Sequence, residues 1–272
     1  MTIPHVIADA HVVAKRNIIK IKRVPDLLVF TVLSPIMFVL LFAYVFGGAI
    51  GGAISGGTGG SAYREYLIAG IFAQTVIFGA TITGAGLAED VKKGIIDRFR
   101  SLPMAPSAVL TGRTLSDVVN NVIVLVVMSV TGLVVGWRIR GSFLDAVTGY
   151  AVLLVFAYAI SWIMAWIGML VPSPEVVNNA SFIVIFPLTF IANTFVPLST
   201  LPPALQRFAE WNPVSAVTQA ARELFGNIQA GTPEPTAWPL QHPAAYTLIW
   251  SVAILVIFVP LANAQYRVST GR

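Results

Sequence analysis

The chain has 272 residues, no cysteine, and 17 Lys and Arg against 12 Asp and Glu. Its hydrophobic share of 56%, at a mean hydropathy of +0.80, is more apolar surface than one soluble core of this size can bury, so the solvent must be lipid. Disulfides and thiolate metal sites are excluded, and the net charge of +5 fits basic loops at a membrane surface rather than nucleic acid.

In chain order, residues 1–26 come first. At 100° per residue, Ile3, Ile7, Ala10, Ala14, Ile18 and Ile21 share one stripe, and Arg16, Lys20 and Arg23 lie opposite. The pattern predicts a helix lying on the inner leaflet, with its basic face toward headgroups or a partner. Residues 27–46 form the first of six apolar stretches, each near the roughly 20 residues that a bilayer core requires. The others are 66–87, 118–136, 146–170, 180–197 and 245–263. The first apolar stretch follows a charged segment and has no cleavage site after it, so it reads as an anchor. The "GGAIGGAISGGTGGS" segment that follows it is a flexible connector.

Residues 88–113 gather charge between the second and third stretches. Val91, Ile95, Phe99 and Leu102 share one helical stripe, with Lys92, Lys93, Asp97 and Arg100 away from it. Pro103 stops this helix and Pro106 keeps the link extended. Ser107 can cap the return helix, and Asp117 can cap the third span. The insert is therefore expected to show an apolar ridge framed by charge, which is the form of a docking element. In residues 198–243, Thr200 with Pro202 and Asn212 with Pro213 mark two helix starts, and Gly226-Asn227 marks an end. The second helix puts Val214, Val217, Ala221 and Leu224 on one face. Two helices this short predict a hairpin dipping into the outer leaflet against protein, or an extracellular helical cap.

Charge bias fixes the orientation. Lys15, Arg16, Lys20, Lys22 and Arg23, the five basic residues of 88–113, and Arg267 and Arg272 fall on one side of a six-span layout. Arg64, Arg138, Arg140, Arg207 and Arg222 fall on the other, so both termini and the insert are expected in the cytoplasm.

No Gly-x-x-x-x-Gly-Lys-Ser/Thr loop occurs, His5, His11 and His242 are scattered, and no serine has a histidine partner. No catalytic residue, metal site or cofactor of its own is expected for this chain. The six apolar cores lack ionisable residues, which disfavours an ion-coupled carrier. A non-transport scaffold or assembly protein stays open. A transporter so built needs its engine in another protein, and the Glu89–Leu102 ridge is where that engine would push.

"GIIDRFRSLPMAPSAVLTGR" together with "FVPLSTLPPALQRFAEWNPVSAV" resembles the type-2 permeases of bacterial ABC exporters, in the daunorubicin-resistance branch. The resemblance covers nearly the whole chain. It implies an all-helical, six-span permease of the bacterial cytoplasmic membrane that pairs with a second permease, a copy or a paralogue. It also implies two copies of a separate ATPase subunit that bind ATP and magnesium. The insert would be the coupling helix, with Glu89, Gly94 and Pro103 at its acidic, glycine and proline positions. The same resemblance implies that spans two and five face the dimer axis. On span five, Phe182, Phe186, Thr189, Phe190 and Asn193 share a face, as do Gln74, Thr75, Phe78 and Thr81 on span two. Rings and small polar groups together suit an amphipathic drug or lipid, or else these faces simply pack.

Overall fold

The computed structural model describes residues 9, 12–17, 19, 25–46, 60–101, 106–171, 173–228 and 234–268, which form helices and turns with no strand among them. Lys20, Arg23, Leu102 and Pro103, and most of the Gly/Ser connector, lie outside the described residues, as does the side chain of Arg100.

Residues 12–17 are helical, with Val13 and Ala14 buried. Helix α1 is Pro25–Leu40 and continues as a π-turn, Leu41–Phe46. Helices α2 (Gly60–Gly79) and α3 (Thr81–Lys92) form one rod, interrupted only by a turn residue at Ala80. A short α4 (Ile95–Arg100) precedes α5 (Pro106–Val135), α6 (Phe143–Leu170) and α7 (Pro174–Phe190). Beyond a 3₁₀ turn, Leu198–Thr200, come α8 (Pro203–Trp211), α9 (Pro213–Phe225), α10 (Trp238–Gln241) and α11 (Pro243–Val268).

Among the described residues, taking α2–α3 as one, six helical segments are apolar, but they differ in reach. Tyr63–Lys92, Ser107–Val135, Phe143–Leu170 and Pro243–Val268 are long and apolar enough to cross a membrane. The 17 residues of α7 rise about 25 Å, short of a hydrocarbon core about 30 Å thick. Helix α7 also begins and ends earlier than the apolar stretch 180–197. Ser173 caps it, Pro174 occupies its first turn, and Pro187 lies inside its last turn.

Helix α6 is the central post, packed against α11, α3, α9 and α5. Its capping box sets its start: Ser142 Oγ accepts from Asp145 N, and the Asp145 carboxylate accepts from Ser142 N. Where α6 crosses α3, a Cβ on Gly168 would sit 2.2 Å from the Gly84 carbonyl oxygen, so the two backbones meet directly.

Helix α9 starts and stops where its signals stand. Asn212 Oδ1 accepts from Val214 N, Pro213 holds the first turn, and Gly226 closes it at φ 69°. Of the expected face, Val214, Val217 and Ala221 are buried and Leu224 only partly so. Burial goes further than one face. Ser215, Ala216, Thr218, Ala220, Arg222 and Phe225 are buried too, because α9 is wedged among α6, α2 and α11. Its small residues keep it slim enough to fit there.

Three capping assignments change. Thr200 does not start a helix: its hydroxyl donates to Pro197 O at 2.7 Å within the 3₁₀ turn, and Pro202 precedes α8. Ser107 lies within the first turn of α5 rather than before it. Asp117 lies three turns inside α5, 5% exposed, where it accepts from the Thr83 hydroxyl of α3 and faces Arg113 Nε at 3.9 Å. The helix carrying the third apolar stretch therefore holds a buried ion pair, because it starts twelve residues before that stretch. The packing of α5 on α3 gives Asp117 a polar partner that an isolated helix would lack.

Candidate functional site

A cavity of about 430 Å³ opens between α1, the α2–α3 junction, α5 and α7. This is within the usual range for small-molecule pockets, roughly 300–1,000 Å³. Phe38 of α1, Phe78 of α2, and Phe182 and Phe186 of α7 supply rings to its wall. Gln74 and Thr75 of α2, Thr81 of α3, and Asn120 and Asn121 of α5 supply polar groups. Ser34 and Phe182 are its exposed lining residues and mark its mouth, between α1 and α7. No charged side chain lines it among the described residues.

Four of the six expected path residues, Gln74, Phe78, Phe182 and Phe186, line this cavity. Their convergence is a tertiary result: the early start of α7 puts Phe182 on a helix, where its ring lies 6.3 Å from that of Phe78 between centroids. Phe190 lies outside it but continues its aromatic wall. Ring centroids run from Phe182 to Phe186 at 4.9 Å, to Phe190 at 4.1 Å, to Phe195 at 4.8 Å and to Phe42 at 4.6 Å. Asn193 is not part of the wall. Helix α7 has ended, and Asn193 belongs to a buried turn, its Nδ2 donating to Gln219 Oε1 at 3.3 Å and its N–H to Ser215 Oγ at 3.2 Å. Asn120 and Asn121 were not singled out by the sequence reading. Two adjacent amides inside "DVVNNVIVLVV" were the available signal, since such groups are costly against lipid.

The same turn carries a second feature absent from the sequence reading. Arg222 of α9, counted above among surface arginines, is 2% exposed. Its Nε donates to Tyr66 O at 2.9 Å, and its Nη2 to Asn193 O at 2.5 Å and Thr194 O at 3.1 Å. The guanidinium carbon lies 3.5 Å from the Tyr66 ring centroid, and the Tyr66 hydroxyl donates to Asn193 O at 2.9 Å. Arg222 thus ties α9, α2 and the end of α7 together, and it does not belong to the surface charge bias. The signal was its place on the Val214–Ala221 helix, one residue past a buried position.

In the insert, the expected single helix is two. Gly94 takes φ 66°, with open space around it, and separates α3 from α4. This left-handed residue resets the helical phase, so Ile96 (2% exposed) rather than Ile95 points inward. Ile95 is half-buried. Val91 and Phe99 pack against the chain's own cluster of Leu87, Ile96, Leu110, Trp162 and Tyr266. The apolar ridge is therefore turned toward the spans, and Lys92, Lys93, Asp97 and Arg98 form the outward surface. Glu89 accepts from Lys93 Nζ at 2.6 Å, which raises the Lys93 ammonium above its ordinary pKa. Arg16, expected to face headgroups or a partner, reaches Asp90 at 3.1 Å and lies 5.0 Å from the Phe99 ring centroid. The buried Asp90 carboxylate gives that guanidinium a charge-assisted partner within the chain.

Residues 9–225 match the family described as ABC-2 type transporter. The chain is 35% identical over 252 residues to the "Daunorubicin resistance ABC transporter permease protein DrrB1" of Streptomyces coeruleorubidus, covering 93% of this chain and 83% of that one. It is 29% identical over 229 residues to the "Doxorubicin resistance ABC transporter permease protein DrrB" of Mycobacterium tuberculosis, covering 84% and 78%.

Proposed function

The chain belongs to the ABC-2 type transporter family and is the permease subunit of an ABC exporter; from that premise we propose that it carries an amphipathic, ring-bearing compound, a drug or a lipid, through the cavity between α1 and α7. The observation that carries this reading is the lining itself: four phenylalanines and three amides around one laterally open cavity. Rings hold a planar apolar body and amides orient its polar edge. Loss of Phe186 should therefore change transport without changing assembly. In cells co-expressing the ATPase, Phe186→Ala is expected to alter which compounds are exported or how far they stimulate hydrolysis, with basal hydrolysis kept. Unaltered transport of every compound tested would reduce the aromatic wall to packing.

The finer arrangement is part of the same proposal. Six spans, with α1 and α7 as the two short ones, place both termini and the insert in the bacterial cytoplasm. The α8–α9 hairpin then enters the outer leaflet, where α9, packed against α6, α2 and α11, has its backbone shielded, and α8 lies against α9 with most of its surface exposed. Two permeases, identical or paralogous, pair with two ATPase copies that hold ATP and magnesium. ATP-driven closure of the ATPases moves the insert from Glu89 through Gly94 to Pro103 and switches the pair between inward- and outward-facing states. Topology offers a direct check. Reporter fusions at Gly57 and Gly231 should give outer-side signals, and fusions at Met104 and Arg272 inner-side signals. An inner-side signal at Gly231 would require a different number of spans. A non-transport scaffold would show no export defect when an ATPase encoded beside this permease is deleted.

A further inference from the structure

Unpaired amides, rather than charge, are the chemical mark of this cavity. Gln74, Asn120 and Asn121 are 6%, 7% and 2% exposed, and none of the three side chains has a hydrogen-bond partner among the described residues. Their polar groups line the cavity instead. Each amide brings two N–H donors and a carbonyl acceptor, and these atoms face the cavity rather than being sealed in the core, so a ligand there can take them. Gly79 leaves room for one of them: a Cβ there would lie 2.5 Å from Asn121 Oδ1. The charged groups nearest on α5 are already engaged, since Arg113 Nη2 donates to Ile82 O at 3.0 Å and Asp117 accepts from Thr83.

Resting on the transport reading above, we infer that Gln74, Asn120 and Asn121 determine specificity: the cavity takes an uncharged ring-bearing ligand that carries hydrogen-bonding groups beside its rings. A hydrocarbon of the same shape would leave all three amides unpaired, and a site built to hydrogen-bond discriminates strongly against such analogues. An anionic ligand would give up its hydration to a cavity with no positive group to replace it.

Purified permease in lipid nanodiscs tests this with three probes: quinizarin (a dihydroxyanthraquinone), anthracene, and an anthraquinone sulfonate. Equilibrium dialysis should show quinizarin bound at least about tenfold more tightly than the other two, the worth of one or two neutral hydrogen bonds. Asn120→Leu and Asn121→Leu should each weaken quinizarin about tenfold and leave anthracene unchanged or tighter. Because these amides have no protein partner, the unliganded melting temperature should hold or rise, whereas a structural role would lower it. Gly79→Ala, which displaces the Asn121 amide without removing it, should reproduce the selective loss. Phe186→Ala should weaken quinizarin and anthracene together. Anthracene bound as tightly as quinizarin, or amide variants that leave quinizarin untouched or lower the melting temperature, would overturn the amide inference. In that event, continued dependence on Phe186 would leave the cavity reading standing. No binding of any probe to the wild type would overturn both.

Discussion

Replacing Arg222 by alanine is expected to lower the melting temperature of the purified permease by roughly 10 °C, since about 3 kcal/mol corresponds to that shift in a chain of this size. Tyr66, Asn193 and Thr194 would each lose a buried donor, at about 1 kcal/mol apiece, and the cation over the Tyr66 ring contributes about 2 kcal/mol more when desolvated. Relief from burying a positive charge offsets part of that sum. Arg222→Lys should fall between, because an ammonium cannot reach three carbonyls in one plane or stack on a ring. The anchored turn leads out of α7, so the cavity wall at Phe186 should loosen as well. Thermal unfolding in one detergent, compared across the three proteins, decides the matter. A melting temperature unchanged in Arg222→Ala would mean that water replaces the guanidinium without loss.

The second large effect separates the two surfaces of the insert. Arg98→Glu, made together with Lys93→Glu, alters only exposed groups. The permease should reach the membrane at its normal level, fail to retain its ATPase on purification, and fail to export. Phe99→Asp should act differently. It places a carboxylate against the cluster of Leu87, Ile96 and Trp162 and removes the ring beneath Arg16, so the permease itself should become scarce in the membrane. A charge set against that apolar cluster costs up to several kcal/mol, of which the Arg16 guanidinium beside it returns a part. Membrane abundance, ATPase co-purification and export measured in one strain distinguish the cases. Full co-purification and export in the double reversal would remove the charged face from the docking surface. A normally abundant Phe99→Asp permease that has lost only its ATPase would restore the apolar ridge to that role.

The sequence by itself determined a good deal, and for a physical reason: these features are local or additive. Hydropathy sums along the chain, so the membrane class and the six apolar segments were legible from composition and run length. Asn212-Pro213 and Gly226 act on their own backbone, and α9 begins and ends at them. The paired motifs Gly94–Arg113 and Phe195–Val217 identified the type-2 ABC permease family from sequence alone. What only the tertiary structure decided depends on groups far apart in sequence. Periodicity continued the Val91–Leu102 stripe straight through Gly94, whereas its left-handed φ turned the ridge inward. Arg222 counted as a surface charge until α9 was wedged between α2 and α6, where backbone carbonyls from Tyr66 and Asn193 surround it. Asn120 and Asn121 became a site only when α7 brought its phenylalanines opposite them. A buried polar group is defined by the partners it meets or lacks, and those partners are set by packing rather than by neighbours in the chain.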